Sequence, residues 1–186
     1  MPEWWEKTAA DFSDLPDIGE AVRLAVRLLF AAILGGMLGY DRERAGKSAG
    51  LRTHMLVALG AALFVMIPQQ ADLGASEISR VIQGIVAGVG FLGAGAIVKD
   101  VRGSEVRGLT TAAGIWLTAA VGVAAGLGRE ASAVLGTVLA LIILSGVVRI
   151  SRWIDKRSAK DARATGLPSS ESLSNAALPD SDVGPN

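Results

Sequence analysis

The chain has 186 residues, 51% of them hydrophobic, and a mean hydropathy of +0.43, too apolar for most water-soluble domains of its size. Its formal net charge is zero, by cancellation of an acidic N-terminal segment against basic loops and a basic C-terminal stretch, so nothing in the total points to nucleic acid. The absence of cysteine excludes disulfides, thiolate metal sites and cysteine nucleophiles together.

In chain order, residues 1–17 form an acidic segment carrying Glu3, Glu6, Asp11, Asp14 and Asp17 against a single Lys7. That is the reverse of the positive start of a cleaved signal peptide, so the first helix is expected to serve as its own insertion signal. Trp4 and Trp5 suit an outer interfacial anchor. The first helix is expected at 18–40, with Arg23 and Arg27 four residues apart on one face and near enough to its start to snorkel to the headgroups.

Four stretches without charge follow, at 53–71, 81–98, 108–128 and 131–148. Each is long enough to cross ~30 Å of hydrocarbon at about 1.5 Å per residue. A soluble bundle hiding four such spans would lack the amphipathic surface to cover its core. The expected architecture is all-α, with membrane helices at about 18–40, 52–70, 81–98, 108–128 and 131–150 forming one transmembrane domain over 18–150. Residues 151–186 are expected as a basic stretch passing into a disordered, polar cytoplasmic tail.

Orientation follows the lysines and arginines. Arg42, Arg44, Lys47 and Arg52 sit between helices 1 and 2, Lys99, Arg102 and Arg107 between helices 3 and 4, and Arg149, Arg152 and Lys156 lead a basic stretch after helix 5. The other two connections offer only Arg80 and Arg129. The positive-inside rule then places the N-terminus outside and the C-terminus in the cytoplasm.

Most of the 23 glycines lie between Gly35 and Gly146, inside or beside the expected helices. Gly35 and Gly39 in helix 1, Gly84, Gly88 and Gly93 in helix 3, and Gly114, Gly122 and Gly126 in helix 4 form small-xxx-small stripes, which in a bilayer are helix contact faces. Helices 2 and 4 also begin alike: Gly50-Leu51-Arg52-Thr53 recurs as Gly108-Leu109-Thr110-Thr111. The recurrence suggests two parallel helix pairs, 1–2 and 3–4, with helix 5 added.

Two motif matches carry no chemistry. Gly46-Lys47-Ser48-Ala49-Gly50 fits the pattern of serine hydrolases but lies between two membrane helices rather than between a strand and a helix, and a P-loop would need glycine where Asp41 stands. No enzyme is expected, and no cofactor. The functional candidates are Asp41, Glu43, Arg44, Arg52, Thr53 and His54 at the helix 1–2 connection, and Arg107, Thr110 and Thr111 at the corresponding point of the second pair. Asp41 and Glu43 are weak candidates to hold magnesium through oxygen ligands; the alternative is that these charges fix topology and cap helices. His54, the only histidine, is either a hydrogen-bonded core imidazole or a relay. Arg52 and Arg107 would form a positive rim for which anionic lipid headgroups are the default partner.

The blocks Asp41-Arg42-Glu43-Arg44, Gly50-Leu51-Arg52-Thr53-His54-Met55-Leu56-Val57, Gly88-Val89-Gly90-Phe91-Leu92-Gly93-Ala94-Gly95 and Val106-Arg107-Gly108-Leu109-Thr110-Thr111, followed by Trp116, resemble the signature blocks of the MgtC/SapB family of bacterial inner-membrane proteins. The resemblance runs from about Leu28 to Arg149. It implies a five-helix protein linked to growth in low magnesium and to virulence, with modulation of the F-type ATP synthase as the best-described activity. Many members continue into a cytoplasmic domain of ACT type, where this sequence has only its short tail. Three functions therefore compete: regulation by contact with a membrane complex, transport of a cation or small solute, and, resting only on the basic rim, a lipid-binding scaffold. Self-association through the glycine faces is open beside all three.

Overall fold

The computed structural model of the chain describes residues 18–99 and 106–146. Helix α1 runs Ile18–Arg44, α2 Leu51–Gln70, α3 Ala75–Ala96, α4 Leu109–Gly126 and α5 Glu130–Leu141, the last passing into a π-helical turn at Ile142–Gly146. Between α3 and α4, strands β1 (Val98–Lys99) and β2 (Val106–Arg107) pair antiparallel, with Val98 opposite Arg107. The acidic segment 1–17 with its tryptophans, Arg102, Arg149 and the tail 151–186 lie outside the described residues.

Helices α1 to α4 are each long and apolar enough to cross a bilayer, and α5 with its π-helical turn is a shorter apolar helix. Large apolar side chains face outward around the bundle, among them Leu29, Ile33, Phe64, Phe91, Trp116 and Leu139. Such a surface is untenable in water and is the expected one in lipid.

Helix ends differ from the charge-free spans in a consistent way. Helix α1 continues through the charged turn to Arg44, and α3 begins at Ala75, ahead of Glu77 and Arg80. Charge marks where the chain leaves hydrocarbon, not where backbone hydrogen bonding stops; Arg and Glu are good helix formers once they reach water. Hydrogen bonding and turn geometry close α1: the Gly46 amide donates to Glu43 O and the Lys47 amide to Arg42 O, with Gly46 at φ +67°. This Schellman closure recurs after α4, where Gly128 lies at φ +72°, and after α2 with Asp72 in the glycine's place at φ 50°.

Helices α2 and α4 form the central pair, α1 packs on both, and α3 and α5 lean on α4. The contacts are backbone to backbone. A Cβ built on Gly35 would lie 2.6 Å from His54 O and 2.7 Å from the Ala58 Cβ, and one on Gly39 would lie 2.7 Å from the Leu51 Cα. Gly122 meets the Ala58 backbone and Gly126 the Ala62 carbonyl in the same manner. The interior this encloses is built from small residues, Ala31, Ala58, Ala62 and Ala125, with Leu38 and Val65 filling it.

Helix α3 is different. Among its residues only Val89 and Gly93 are buried, and a Cβ built on Gly93 would lie 3.5 Å from the Ala112 Cβ. The expected packing stripe of Gly84 and Gly88 meets no atom within 4 Å. The reason is rotational: α3 leans on α4 through the Val89 and Gly93 face, which turns the Gly84 and Gly88 face toward a groove against α2 of about 620 Å³, walled by Leu56, Phe64 and Leu92.

The sequence recurrence has a geometric counterpart. Gly35 packs on His54, and Gly93 packs on Ala112; one constant shift along the chain carries the first pair onto the second and Gly50 onto Gly108.

Candidate functional site

The charged end of α1 and the start of α2 build one polar rim. Arg42, on the last turn of α1, is 2% exposed, and its Nε donates to Asp41 Oδ2 at 3.0 Å while Nη2 reaches the same oxygen. Asp41 is thereby engaged beside its own helix. Glu43 points elsewhere: its Oε2 accepts the Leu51 amide at 2.8 Å. The first amides of a helix have no intrahelical acceptor, and Gly50 at the N-cap brings no side chain to supply one, so the Glu43 carboxylate takes the place of the missing cap. A carboxylate there also complements the positive end of the α2 dipole. The packing is tight enough that a Cβ on Gly50 would lie 2.6 Å from Glu43 Oε2.

His54 lies one turn further, fully buried among α1, α2 and α4. Its Nδ1 is 3.0 Å from Gly50 O, so Nδ1 carries the proton and donates, leaving Nε2 as an acceptor. Nε2 has no hydrogen-bond partner; across the interface it faces Gly114, where a Cβ would lie 3.5 Å away. Of the two readings of His54, the core imidazole accounts for Nδ1 and not for Nε2.

Arg44, Arg52 and Thr53 are exposed and stand apart from this buried group. Asp41 and Glu43 are turned to different partners, and among the described residues no group of three histidines or carboxylates is placed to hold a metal ion. Asp41 and Glu43, the two residues considered from sequence for magnesium, thus each have a protein partner of their own in this geometry.

In the second pair, Arg107 ends β2, Gly108 sits at φ +96° as the N-cap of α4, and Thr110 and Thr111 occupy the first turn of that helix. They line a cavity of about 500 Å³ whose other wall is Lys47 and Ser48 from the α1–α2 connection. Arg107 and Lys47 thus line one cavity. In the sequence Lys47 and Ser48 figure only as a topology charge and in motif matches without chemistry, because the cavity joins two connections far apart in the chain.

Arg27 also acts differently from the sequence expectation. Instead of only reaching for headgroups, its Nη1 lies 3.5 Å from Gly126 O and its Nε 3.9 Å from Glu130 Oε1, tying α1 to the α4–α5 turn.

Four apolar helices of spanning length and a lipid-facing surface define a multi-pass helical membrane protein. The sequence profile of the MgtC family matches residues 28–153, and the chain belongs to that family. It is 45% identical over 149 residues to Protein SrpB of Synechococcus elongatus, covering 73% of this chain and 82% of SrpB. It is 42% identical over 126 residues to the "Putative magnesium transporter YhiD" of Escherichia coli K12, covering 64% of this chain and 58% of YhiD. It is 46% identical over 119 residues to Protein MgtC of Brucella abortus, covering 64% of this chain and 49% of that protein. The chain thus spans most of SrpB but only about half the length of the other two. No solved structure matches.

Proposed function

We propose that this chain is a regulatory protein of the bacterial inner membrane, with its N-terminus outside and its C-terminus in the cytoplasm, that acts in magnesium limitation by helix-to-helix contact with another membrane complex. The resemblance to the MgtC/SapB family supplies the F-type ATP synthase as the first complex to test. One observation carries the reading: the groove between α2 and α3 offers bare backbone at Gly60, Gly84 and Gly88, none of which meets an atom within 4 Å, between walls of Leu56, Phe64 and Leu92. Gly35 and Gly39 of α1 and Gly122 and Gly126 of α4 are consumed by internal contacts, so an open small-residue face of this kind suits a transmembrane helix of a partner, which gains close backbone approach there.

Transport of a cation is the second reading, and the name of YhiD supports it. The two rim carboxylates that would serve it are instead engaged by Arg42 and by the Leu51 amide.

Affinity capture of the full chain from native membranes tests the first reading. A specific membrane complex recovered with wild type and lost with Gly84→Leu/Gly88→Leu is the expected result. Equal recovery with both, or no specific complex, contradicts it, and cation flux into proteoliposomes above that of empty vesicles would then favour transport.

A further inference from the structure

We propose that His54 is a proton-binding site, and that a proton taken up there loosens one end of the seam between α2 and α4. The seam is unevenly closed. A Cβ on Gly122 would lie 2.3 Å from Ala58 O and one on Gly126 2.6 Å from Ala62 O, so at these two turns backbone locks against backbone. Gly114 stands on the same stripe, about two turns nearer the start of α4. There a Cβ would meet a single atom within 4 Å outside its own stretch of helix, His54 Nε2 at 3.5 Å. The seam is locked at one end and open at the other, and a ring nitrogen faces the open place.

His54 is fully buried, and among the described residues its Nε2 is the one buried side-chain nitrogen or oxygen without a hydrogen-bond partner. The ring is held in this orientation by Nδ1, which donates to Gly50 O at 3.0 Å. A lone pair fixed beside open space is a base with room for its proton. The charge that arrives with that proton finds no free counter-ion. Helices α1 and α4 pack on the ring. From α1 come the Gly35 and Gly39 backbone and the buried Arg42, a cation whose charge reaches the imidazole. The carboxylates of that turn are engaged, Asp41 by Arg42 and Glu43 by the Leu51 amide, while Tyr40 and Arg44 are exposed. Helix α4 carries no titratable side chain, and on α2 the neighbouring Arg52 is exposed and of the same sign as an imidazolium. The facing carbonyl, Gly114 O, already accepts the Thr118 hydroxyl at 2.8 Å. Water relieves both a buried charge and a donor without an acceptor. Parting of α4 from α2 at the Gly114 end admits it, with the locked turns at Gly122 and Gly126 as the pivot. The device operates whether the protein regulates or transports.

His54 is the only histidine and the chain has no cysteine, so histidine and thiol probes are both free of background. The full chain with ¹⁵N-labelled histidine, in phosphatidylcholine vesicles, is followed by NMR from about pH 8 to about pH 5, across the ordinary imidazole value of ~6.5. In parallel, pulsed electron paramagnetic resonance reads the distance between spin labels on Leu56→Cys of α2 and Leu109→Cys at the open end of α4, both exposed positions. A second pair, Ile67→Cys and Arg129→Cys, reports on the locked end. The expected neutral form carries its proton on Nδ1. On acidification Nε2 gains a second one, and the Leu56–Leu109 distance lengthens by about 1–2 Å or more with the same midpoint, while the locked pair holds. In His54→Gln and His54→Leu the distance stays constant across the range. Protonation is read on the wild-type chain, so that result stands even where a variant fails to accumulate. An imidazole still neutral at about pH 5, protonation without a change in distance, or an equal change in the two variants each overturns the proposal.

Discussion

Gly122 of α4 lies against the Ala58 backbone of α2 so closely that a Cβ on the glycine would sit 2.8 Å from the Ala58 Cα and closer still to its carbonyl oxygen. Gly126 repeats the arrangement one turn on, against Ala62 O at 2.6 Å. In lipid there is no hydrophobic drive between helices, so the stability of this central pair rests on dispersion and weak backbone contacts that only such an approach allows.

Substitution of these glycines therefore separates sharply from substitution on α3. Gly122→Ala and Gly126→Ala should each destabilise by about 1–3 kcal/mol, since backbone rather than a flexible side chain blocks the added carbon. Gly84→Ala, in open space, should be neutral or stabilising by up to about 1 kcal/mol through helix propensity. Detergent-induced unfolding of the purified variants, followed by far-UV circular dichroism, reads both.

Gly108 carries two constraints at once, φ +96° and a Cβ direction that runs into Ala96 O. The left-handed conformation alone costs an ordinary residue about 1–2 kcal/mol. Gly108→Ala should exceed that figure and fail to accumulate in membranes, whereas Gly46→Ala, at φ +67° with nothing within 4 Å of its Cβ direction, should lose only about 1 kcal/mol. Immunoblotting of membrane fractions after matched induction measures the contrast.

Glu43 acts here as the cap of another helix. Glu43→Ala should destabilise by about 1 kcal/mol by freeing the Leu51 amide, and Glu43→Gln by less, because its carbonyl oxygen still accepts. A metal-ligand role would rank the two variants as equal, and the same unfolding assay separates the cases.

His54→Ala should leave a cavity at the meeting of α1, α2 and α4 and cost about 2–5 kcal/mol. His54→Leu should cost markedly less. It refills the volume and, although it loses the bond to Gly50 O, it also removes the partnerless Nε2. Equal losses would mean that Nε2 has a partner in the membrane.

Much of the bundle was legible before any coordinates. Charge-free runs locate α2, α3 and α4 because hydrocarbon tolerates no unpaired charge, and Gly35, Gly39, Gly122 and Gly126 announce packing because a stripe of small residues has few other uses in a bilayer. What failed is non-local. Gly84 and Gly88 have the same spacing as Gly35 and Gly39, and spacing cannot say which stripe finds its partner within the chain. Arg27 looked like a headgroup anchor because Gly126, whose carbonyl it reaches, lies 99 residues away. Glu43 and Asp41 look like a pair of ligands two residues apart, yet on a helix that spacing turns two side chains to different sides, one to Arg42 and one to Leu51. The cavity of Lys47 and Thr111 was invisible for the same reason, since it exists only once two connections meet.

The most direct test of regulation through the α2–α3 groove is growth of a deletion strain in limiting magnesium, complemented by wild type or by Gly84→Leu/Gly88→Leu, with cellular ATP read in parallel. Wild type should restore growth and hold ATP down, while the variant reaches the membrane in equal amount and does neither. Full restoration of growth by the variant, with ATP as low as in wild type, would contradict it.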